Sequence, residues 1–176
     1  MISVCLLWME RLILKFSLQY VCLHLVSTQR IFQCGLQVMS SSTNDQWTWC
    51  KIAISGWGVL SENSWSTPDE LNELELKTVT QKRCREMFRE QGFSYLVNNN
   101  MLCAGGEEGR DGCQGDSGGP LTQSRDQAEY LVGVVSWGEG CGREGLPGVY
   151  TNVGVYKQWI DKIIMEHGGS RWCSTR

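Results

Sequence analysis

The sequence predicts an all-β domain that ends in a helix, and three observations lead to this fold class. Glycine is frequent, with 20 residues in 176, and proline is rare, with 3, so glycine must form most turns of a loop-rich chain. From about residue 49 onward, short apolar or β-branched runs alternate with glycine-containing turns. At the end, apolar residues recur at helical spacing from Tyr156 to Ile164, and Gly168 and Gly169 follow as a stop signal.

Six short strands are predicted between residues 51 and 153. The segment from Leu74 to Thr78 alternates apolar and polar side chains, which is typical of a strand with two different faces. The polar segment 59–70 before it is predicted to be an exposed loop. A short helix is predicted over 81–90, because Thr80 is a suitable N-cap residue. The six predicted strands span residues 51–57, 74–79, 100–104, 120–123, 130–137 and 148–153.

Composition and charge exclude several classes of protein. A length of 176 residues fits one domain, and 41% hydrophobic with 20% charged residues is typical of a globular protein. The formal net charge is −3, so a basic surface for nucleic acid is not expected. Nine cysteines without a Cys-x-x-Cys pair, together with only two histidines, favour disulfides in an oxidising compartment over a metal site. No cofactor is expected.

The first 45 residues differ from the rest of the chain. They begin as a strongly apolar run and end in a polar, linker-like stretch. Glu10, Arg11 and Lys15 interrupt the apolar run, which argues against a signal peptide, because signal peptides carry their charges before the apolar core. The longest uncharged stretch, residues 16–29, is too short to span a bilayer. Membrane attachment is therefore not expected.

The segment with the clearest chemistry is 111–120, which reads Asp-Gly-Cys-Gln-Gly-Asp-Ser-Gly-Gly-Pro. A serine nucleophile needs backbone N–H donors where the oxyanion forms, and Gly115 and Ser117 can supply such a pair on one tight loop. Gly118 and Gly119 let the chain pass closely behind the serine. On this motif alone, a glycine-rich turn that merely contains a serine is an equal alternative.

The segment resembles the nucleophile loop of trypsin-like serine proteases, and four further motifs occur in the order of that family. The resemblance covers about residues 46–167 and implies the C-terminal Greek-key barrel of a two-barrel fold, with its C-terminal helix. Residues 46–176 are accordingly predicted to be the C-terminal part of a trypsin-like peptidase domain, and 1–45 to belong to no recognised family. The four motifs are Ile-Ser-Gly-Trp-Gly at 54–58, Met-Leu-Cys-Ala-Gly at 101–105, Val-Val-Ser-Trp-Gly at 134–138 and Pro-Gly-Val-Tyr-Thr at 147–151.

The resemblance implies a role for each matching residue of the nucleophile loop. Ser117 matches the nucleophile, and the N–H groups of Gly115 and Ser117 match the oxyanion hole. Asp116 matches the acid that pairs with the new α-amino group after zymogen cleavage. Asp111 matches the base of the primary specificity pocket, where a carboxylate would select Arg or Lys. The alternative for Asp111 is a solvated loop acid.

The other matching positions imply a substrate-binding surface for a protein or peptide containing Arg or Lys. Gly138 and Gly148 match the pocket walls, where the absence of a side chain admits a long basic group. Ser136 to Gly138 matches the extended segment that adds the substrate as a β-strand. An extracellular, secreted location is implied as well.

Two disulfides are implied by the same resemblance, Cys84–Cys103 and Cys113–Cys141. The family commonly has a third bridge, but Cys50 lies two residues early for it and the partner position is Gln123. Cys50 is therefore left without its usual partner. The pairing of the remaining cysteines stays open, and these are Cys5, Cys22, Cys34 and Cys173.

Two catalytic residues of the family have no counterpart in the sequence. The general base and the acid that orients it lie in Ala-Ala-His-Cys-like and Asp-Ile-Ala-Leu-like motifs, which do not occur here. His24 is expected to be a core residue and His167 a cation at a helix end. The segment Arg30–Gln33 resembles an activation site too faintly to be one. The sequence thus predicts a truncated, inactive serine endopeptidase; the alternative is a non-catalytic, protease-like fragment or a peptide-binding product.

Overall fold

The computed structural model of the protein describes residues 37–38, 51–93, 97–125 and 128–166. The strands are β1 (Gln37–Val38), β2 (Lys51–Gly56), β3 (Asn72–Val79), β4 (Met101–Ala104), β5 (Pro120–Arg125), β6 (Ala128–Trp137) and β7 (Gly148–Asn152). The helices are α1 (Gln81–Glu90) and α2 (Lys157–Glu166), with a 3-10 helix (Val153–Tyr156) before α2.

The predicted elements are confirmed with small shifts of their ends. All six predicted strands are present as β2 to β7, and their ends differ from the prediction by one or two residues. Helix α1 begins as predicted, because Thr80 Oγ1 accepts a hydrogen bond from the Arg83 N–H at 3.2 Å and so satisfies a free donor of the first turn. The C-terminal helix is described up to Glu166. The predicted stop at Gly168 and Gly169 lies outside the described residues.

Strands β2 to β7 form a closed antiparallel barrel. β2 pairs with β3, β3 with β4, and β4 with β7. β7 pairs with β6, β6 with β5, and β5 returns to β2, which closes the ring. The order β5-β2-β3-β4 is that of a Greek key. The predicted all-β Greek-key barrel with a C-terminal helix is therefore confirmed.

Apolar side chains fill the barrel and fix both helices. Ile52, Ile54 and Leu121 are at most 4% exposed and lie in one cluster inside the barrel; burying side chains of this size contributes about 1.5–3 kcal/mol each. Phe88 packs α1 into a second cluster, and Ile160 packs α2 into a third, against β6. The loops between the strands are thus held on a rigid frame. Neither α1 nor α2 is long and apolar enough to cross a membrane, and no other described helix is.

The short strand β1 lies within the N-terminal segment that the sequence analysis set apart. Gln37 and Val38 pair in parallel with Tyr130 and Leu131 of β6, at the edge of the sheet. This pairing was not predicted. The other residues of the segment 1–45 lie outside the described part of the chain, so its assignment to no recognised family stays a prediction.

The predicted bridge between Cys84 and Cys103 is present and joins α1 to β4. Both cysteines are 0% exposed. We expect the double change Cys84→Ala and Cys103→Ala to lower the free energy of unfolding by about 3 kcal/mol, because the bridge constrains the unfolded chain. Chemical denaturation followed by tryptophan fluorescence measures this. An unchanged denaturation midpoint would show that the bridge does not stabilise the barrel.

Candidate active site

Ser117, the predicted nucleophile, is exposed in the loop between β4 and β5. Two turns shape this part of the loop: Asp116 N–H donates to Cys113 O at 3.0 Å, and Gly119 N–H donates to Asp116 O at 2.8 Å. Gly115 has a φ of +100°, a left-handed conformation that residues with a side chain rarely adopt. The backbone around Ser117 is therefore fixed while its hydroxyl remains accessible.

Strand β6 anchors the back of this loop. Gly118 N–H donates to Val135 O at 2.9 Å, and Val135 N–H donates to Gly119 O at 2.9 Å. Ser136, the first residue of the predicted substrate-binding segment, follows directly and is exposed. The nucleophile loop thus pairs with Val135, directly before residues 136–138, whose part in substrate binding stays a prediction.

The two predicted oxyanion donors are available on this loop. Within the described part of the chain, the N–H groups of Gly115 and Ser117 donate to no other residue. A Cβ at Gly115 would lie 3.1 Å from Gly58 Cα, so a side chain would be crowded there. Two free donors beside a serine hydroxyl suit a developing oxyanion in acyl transfer. Their role stays a prediction.

Asp116 is half-buried, and its carboxylate is hydrogen-bonded to the backbone of the turn after β2. Its Oδ1 accepts from Gly58 N–H at 2.8 Å, and its Oδ2 accepts from Cys113 N–H at 2.9 Å. A Cβ at Gly58 would lie 2.5 Å from Oδ1, and one at Gly56 would lie closer still. Both glycines are therefore needed to seat the carboxylate. From the sequence, residues 54–58 were predicted only to form a strand and a turn.

Asp111 lies in the same loop between β4 and β5, and two backbone N–H groups donate to its carboxylate. Gly112 N–H donates to its Oδ1 at 2.9 Å, and Gly142 N–H donates to its Oδ2 at 3.2 Å. Burial raises the pKa of the Asp111 carboxyl to about 6, the two hydrogen bonds oppose this rise, and the charge of Asp116 adds to it. The alternative of a freely solvated loop acid does not fit this environment.

The two predicted pocket walls surround this carboxylate. A Cβ at Gly148 would lie 2.7 Å from Asp111 Oδ1, and a Cβ at Gly138 would lie 4.0 Å from Asp111 Oδ2. Gly138 and Gly148 also face each other, since that same Gly138 Cβ would lie 3.9 Å from Gly148 Cα. The structure thus brings three residues together that are far apart in the sequence. Their part in substrate binding stays a prediction.

Tyr150 belongs to the same site and was missed by the sequence analysis. Its hydroxyl would lie 2.9 Å from a Cβ at Gly148, and it has no hydrogen-bond partner among the described residues. The side chain is 1% exposed. Burial, and then the charge of Asp111, raise the pKa of its phenol. Its position two residues after Gly148, on the same face of β7, was the available signal.

The second predicted bridge, Cys113–Cys141, is present beside this pocket. The two Cα atoms are 5.2 Å apart. Cys113 precedes the nucleophile loop's turn, and Cys141 lies in the loop between β6 and β7 that also carries Gly142. The bridge therefore fixes the distance between the two backbone segments that hold Asp111.

No histidine lies in the part of the chain that the structure describes, because His24 and His167 both fall outside it. A general base next to Ser117 is accordingly not observed. Over the described ranges, no three Cys, Asp, Glu or His side chains are grouped as a metal site. The expectation that the protein uses no metal or cofactor stays a prediction.

Comparison with known proteins identifies the family. The family model described as Trypsin matches residues 22–160. Testisin from Homo sapiens is 38% identical over 120 residues, which is 67% of this chain and 38% of testisin. Trypsin eta from Drosophila melanogaster is 47% identical over 113 residues, 64% of this chain and 40% of that protein. Trypsin-1 from Astacus astacus is 44% identical over 110 residues, 62% of this chain and 44% of that protein.

The barrel, the serine loop and this match agree, and the chain belongs to the trypsin-like serine protease family. The chain spans about two fifths of the length of the curated relatives just described. The family match begins at residue 22, inside the segment 1–45 that the sequence analysis had separated from the family.

Proposed function

We propose that the chain carries the nucleophile and the specificity pocket of a serine endopeptidase that cleaves after Arg or Lys. The observation that carries this proposal is the Asp111 carboxylate, held between the two side-chain-free walls at Gly138 and Gly148. A guanidinium or ammonium group entering between these glycines would make a charge-assisted contact with Asp111. A neutral side chain would bury the carboxylate without a positive counter-charge, at a cost in free energy.

The reaction that fits this site is acyl transfer. The substrate would pair its backbone with residues 136–138 as an added strand. Ser117 Oγ would attack the scissile carbonyl, and the N–H groups of Gly115 and Ser117 would stabilise the oxyanion. The amine leaves with a proton, and water then hydrolyses the Ser117 ester to release the acid. Each step needs a base that accepts the proton of the hydroxyl or of the water.

For the 176-residue chain by itself we propose that this reaction does not turn over. Neither histidine lies in a motif that matches the family's base, and a serine hydroxyl without a base is a weak nucleophile near neutral pH. The second candidate function, a non-catalytic protein that binds basic peptides, is favoured by the same pocket. Binding without turnover would support it.

We also propose that the protein is extracellular. The two disulfides of the described region suit an oxidising compartment. The family relatives support this location because trypsin-like proteases are generally secreted. Alkylation of the protein recovered from culture medium, with and without reduction, tests whether these four cysteines are bridged when it is secreted.

Binding of a small cation tests the pocket directly. We expect benzamidine, a planar cation, to bind with a dissociation constant of about 1 mM or tighter. Benzamide has nearly the same shape but no charge, so it should bind at least about tenfold more weakly. Ligand-observed NMR measures both. Equal affinities would mean that the pocket does not select charge.

The affinity for benzamidine should depend on pH because of Asp111. Its pKa is raised to about 6 by burial, and only the ionised form attracts the cation. The affinity should therefore be highest above pH 7 and fall by about tenfold per pH unit well below pH 6. Titrations from pH 5 to pH 8 measure this. An affinity that is constant over this range would exclude Asp111 as the binding group.

A further inference from the structure

A bidentate ion pair between Arg143 and Glu62 joins two loops beside the Asp111 pocket. Arg143 donates from Nε to Glu62 Oε2 at 3.0 Å and from Nη2 to Glu62 Oε1 at 2.5 Å. Glu62 lies in the loop between β2 and β3, and Arg143 lies in the loop between β6 and β7. The hydrogen bond from Arg143 lowers the pKa of Glu62, so the pair is ionised at neutral pH.

The loop that carries Arg143 is shaped around this pair. Gly140 has a φ of +75°, which favours glycine. A Cβ at Gly140 would lie 2.7 Å from Glu62 Oε2 and closer still to Arg143 Nε. The absence of a side chain at Gly140 therefore gives the guanidinium and the carboxylate the space in which they meet.

The same loop also holds the pocket carboxylate. Cys141 N–H donates to Glu62 Oε2 at 3.5 Å, and the next residue, Gly142, donates its N–H to Asp111 Oδ2 at 3.2 Å. Glu62, Gly142 and Asp111 line one cavity of about 290 Å³. If the contact with Glu62 were lost and the loop between β6 and β7 moved, the Gly142 N–H that donates to Asp111 would therefore move with it.

We propose that Glu62 is a positioning residue for the specificity pocket: by binding Arg143 it fixes the loop 139–145 so that the Gly142 N–H meets the Asp111 carboxylate. This inference rests on the proposed function of the pocket. The Glu62 and Arg143 side chains are 30% and 46% exposed, so the pair contributes little to global stability. Its effect is on the geometry of the pocket.

The groups around Asp111 determine what the loss of this donor would do. Asp116 faces Asp111 from the same loop and disfavours its charge, and Tyr150 faces it from β7. Glu62 and Glu73 line the same cavity from the loop after β2 and from β3. Within the described residues, the two backbone N–H groups are thus the contacts that favour the ionised form. Removing the Gly142 donor should raise the pKa of Asp111.

The test is the change Glu62→Gln in the full 176-residue chain, which keeps the shape of the side chain and removes its charge. We expect the dissociation constant of benzamidine at pH 7 to rise about fivefold, the effect of one lost net hydrogen bond. The pH midpoint of binding should move upward by about 0.5–1 unit. The change Arg143→Gln breaks the same pair from the other loop and should give the same shift.

The control is Glu90→Gln, which breaks a comparable ion pair between Arg83 and Glu90, 2.8 Å apart on α1. It should leave both the affinity and the pH midpoint unchanged. If the wild-type chain binds benzamidine and both loop variants keep its pH midpoint, the inference is wrong while the pocket stands. If the wild-type chain does not bind benzamidine at all, the proposed function itself fails.

Discussion

The change Asp111→Ser should abolish detectable binding of benzamidine, with a loss of affinity of at least about 30-fold. Asp111 is the charged group between the two glycine walls, and truncating one partner of a half-buried charge pair costs about 2–5 kcal/mol. Serine is smaller and polar, so it leaves the pocket open but uncharged. Ligand-observed NMR at pH 7.5, where Asp111 is ionised, measures the loss.

The matched control for this variant is Glu73→Gln. Glu73 is exposed on β3 and lines the same cavity, but it makes no contact with the glycine walls among the described residues. We expect the affinity of this variant for benzamidine to stay within about twofold of the wild-type value, since an exposed charge interacts weakly through solvent. Similar losses in both variants would mean that general negative charge attracts the cation, and the assignment of Asp111 to the pocket would then be wrong.

We also expect that the 176-residue chain by itself does not catalyse hydrolysis. With an activated arginine ester we expect no burst of product. The sequence contains no motif that matches the family's general base, and a serine hydroxyl without a base is a weak nucleophile. Loss of the base from a complete triad lowers kcat by about six orders of magnitude. Stopped-flow detection of the leaving group over the first second measures the burst.

The variant Ser117→Ala provides the control for this experiment. If the wild-type chain and the variant release product at the same slow rate, the serine is inactive, as we expect. A burst of one equivalent in the wild-type chain that disappears in Ser117→Ala would show that a base is present. The search for that base would then begin with His24 and His167, which lie outside the described residues.

The sequence was sufficient to predict the barrel and the order of its strands. Strands β2 to β7 could be predicted because each is a short apolar or alternating run between glycine-rich turns. The roles of the loop residues were implied by the resemblance of five ordered motifs to the family, and they stay predictions. Ser117, Gly115 and Asp116 fall within three consecutive positions, so local sequence was enough to bring them together.

Contacts between distant segments could not be predicted in the same way. Gly58 donates to Asp116 across 58 positions, and Arg143 donates to Glu62 across 81. Neither contact is encoded in a local motif. Both form because the closed barrel brings the ends of different strands together. Strand β1 was missed for another reason, since two residues carry no measurable period.

The most direct test of the central claim is a crystal structure of the chain with bound benzamidine, grown above pH 7. We expect the amidinium between Gly138 and Gly148, with its nitrogen atoms about 2.7–2.9 Å from the Asp111 carboxylate oxygens. Ordered benzamidine at any other place, with this pocket filled by solvent alone, would contradict the claim that Asp111 forms the base of a pocket for basic side chains.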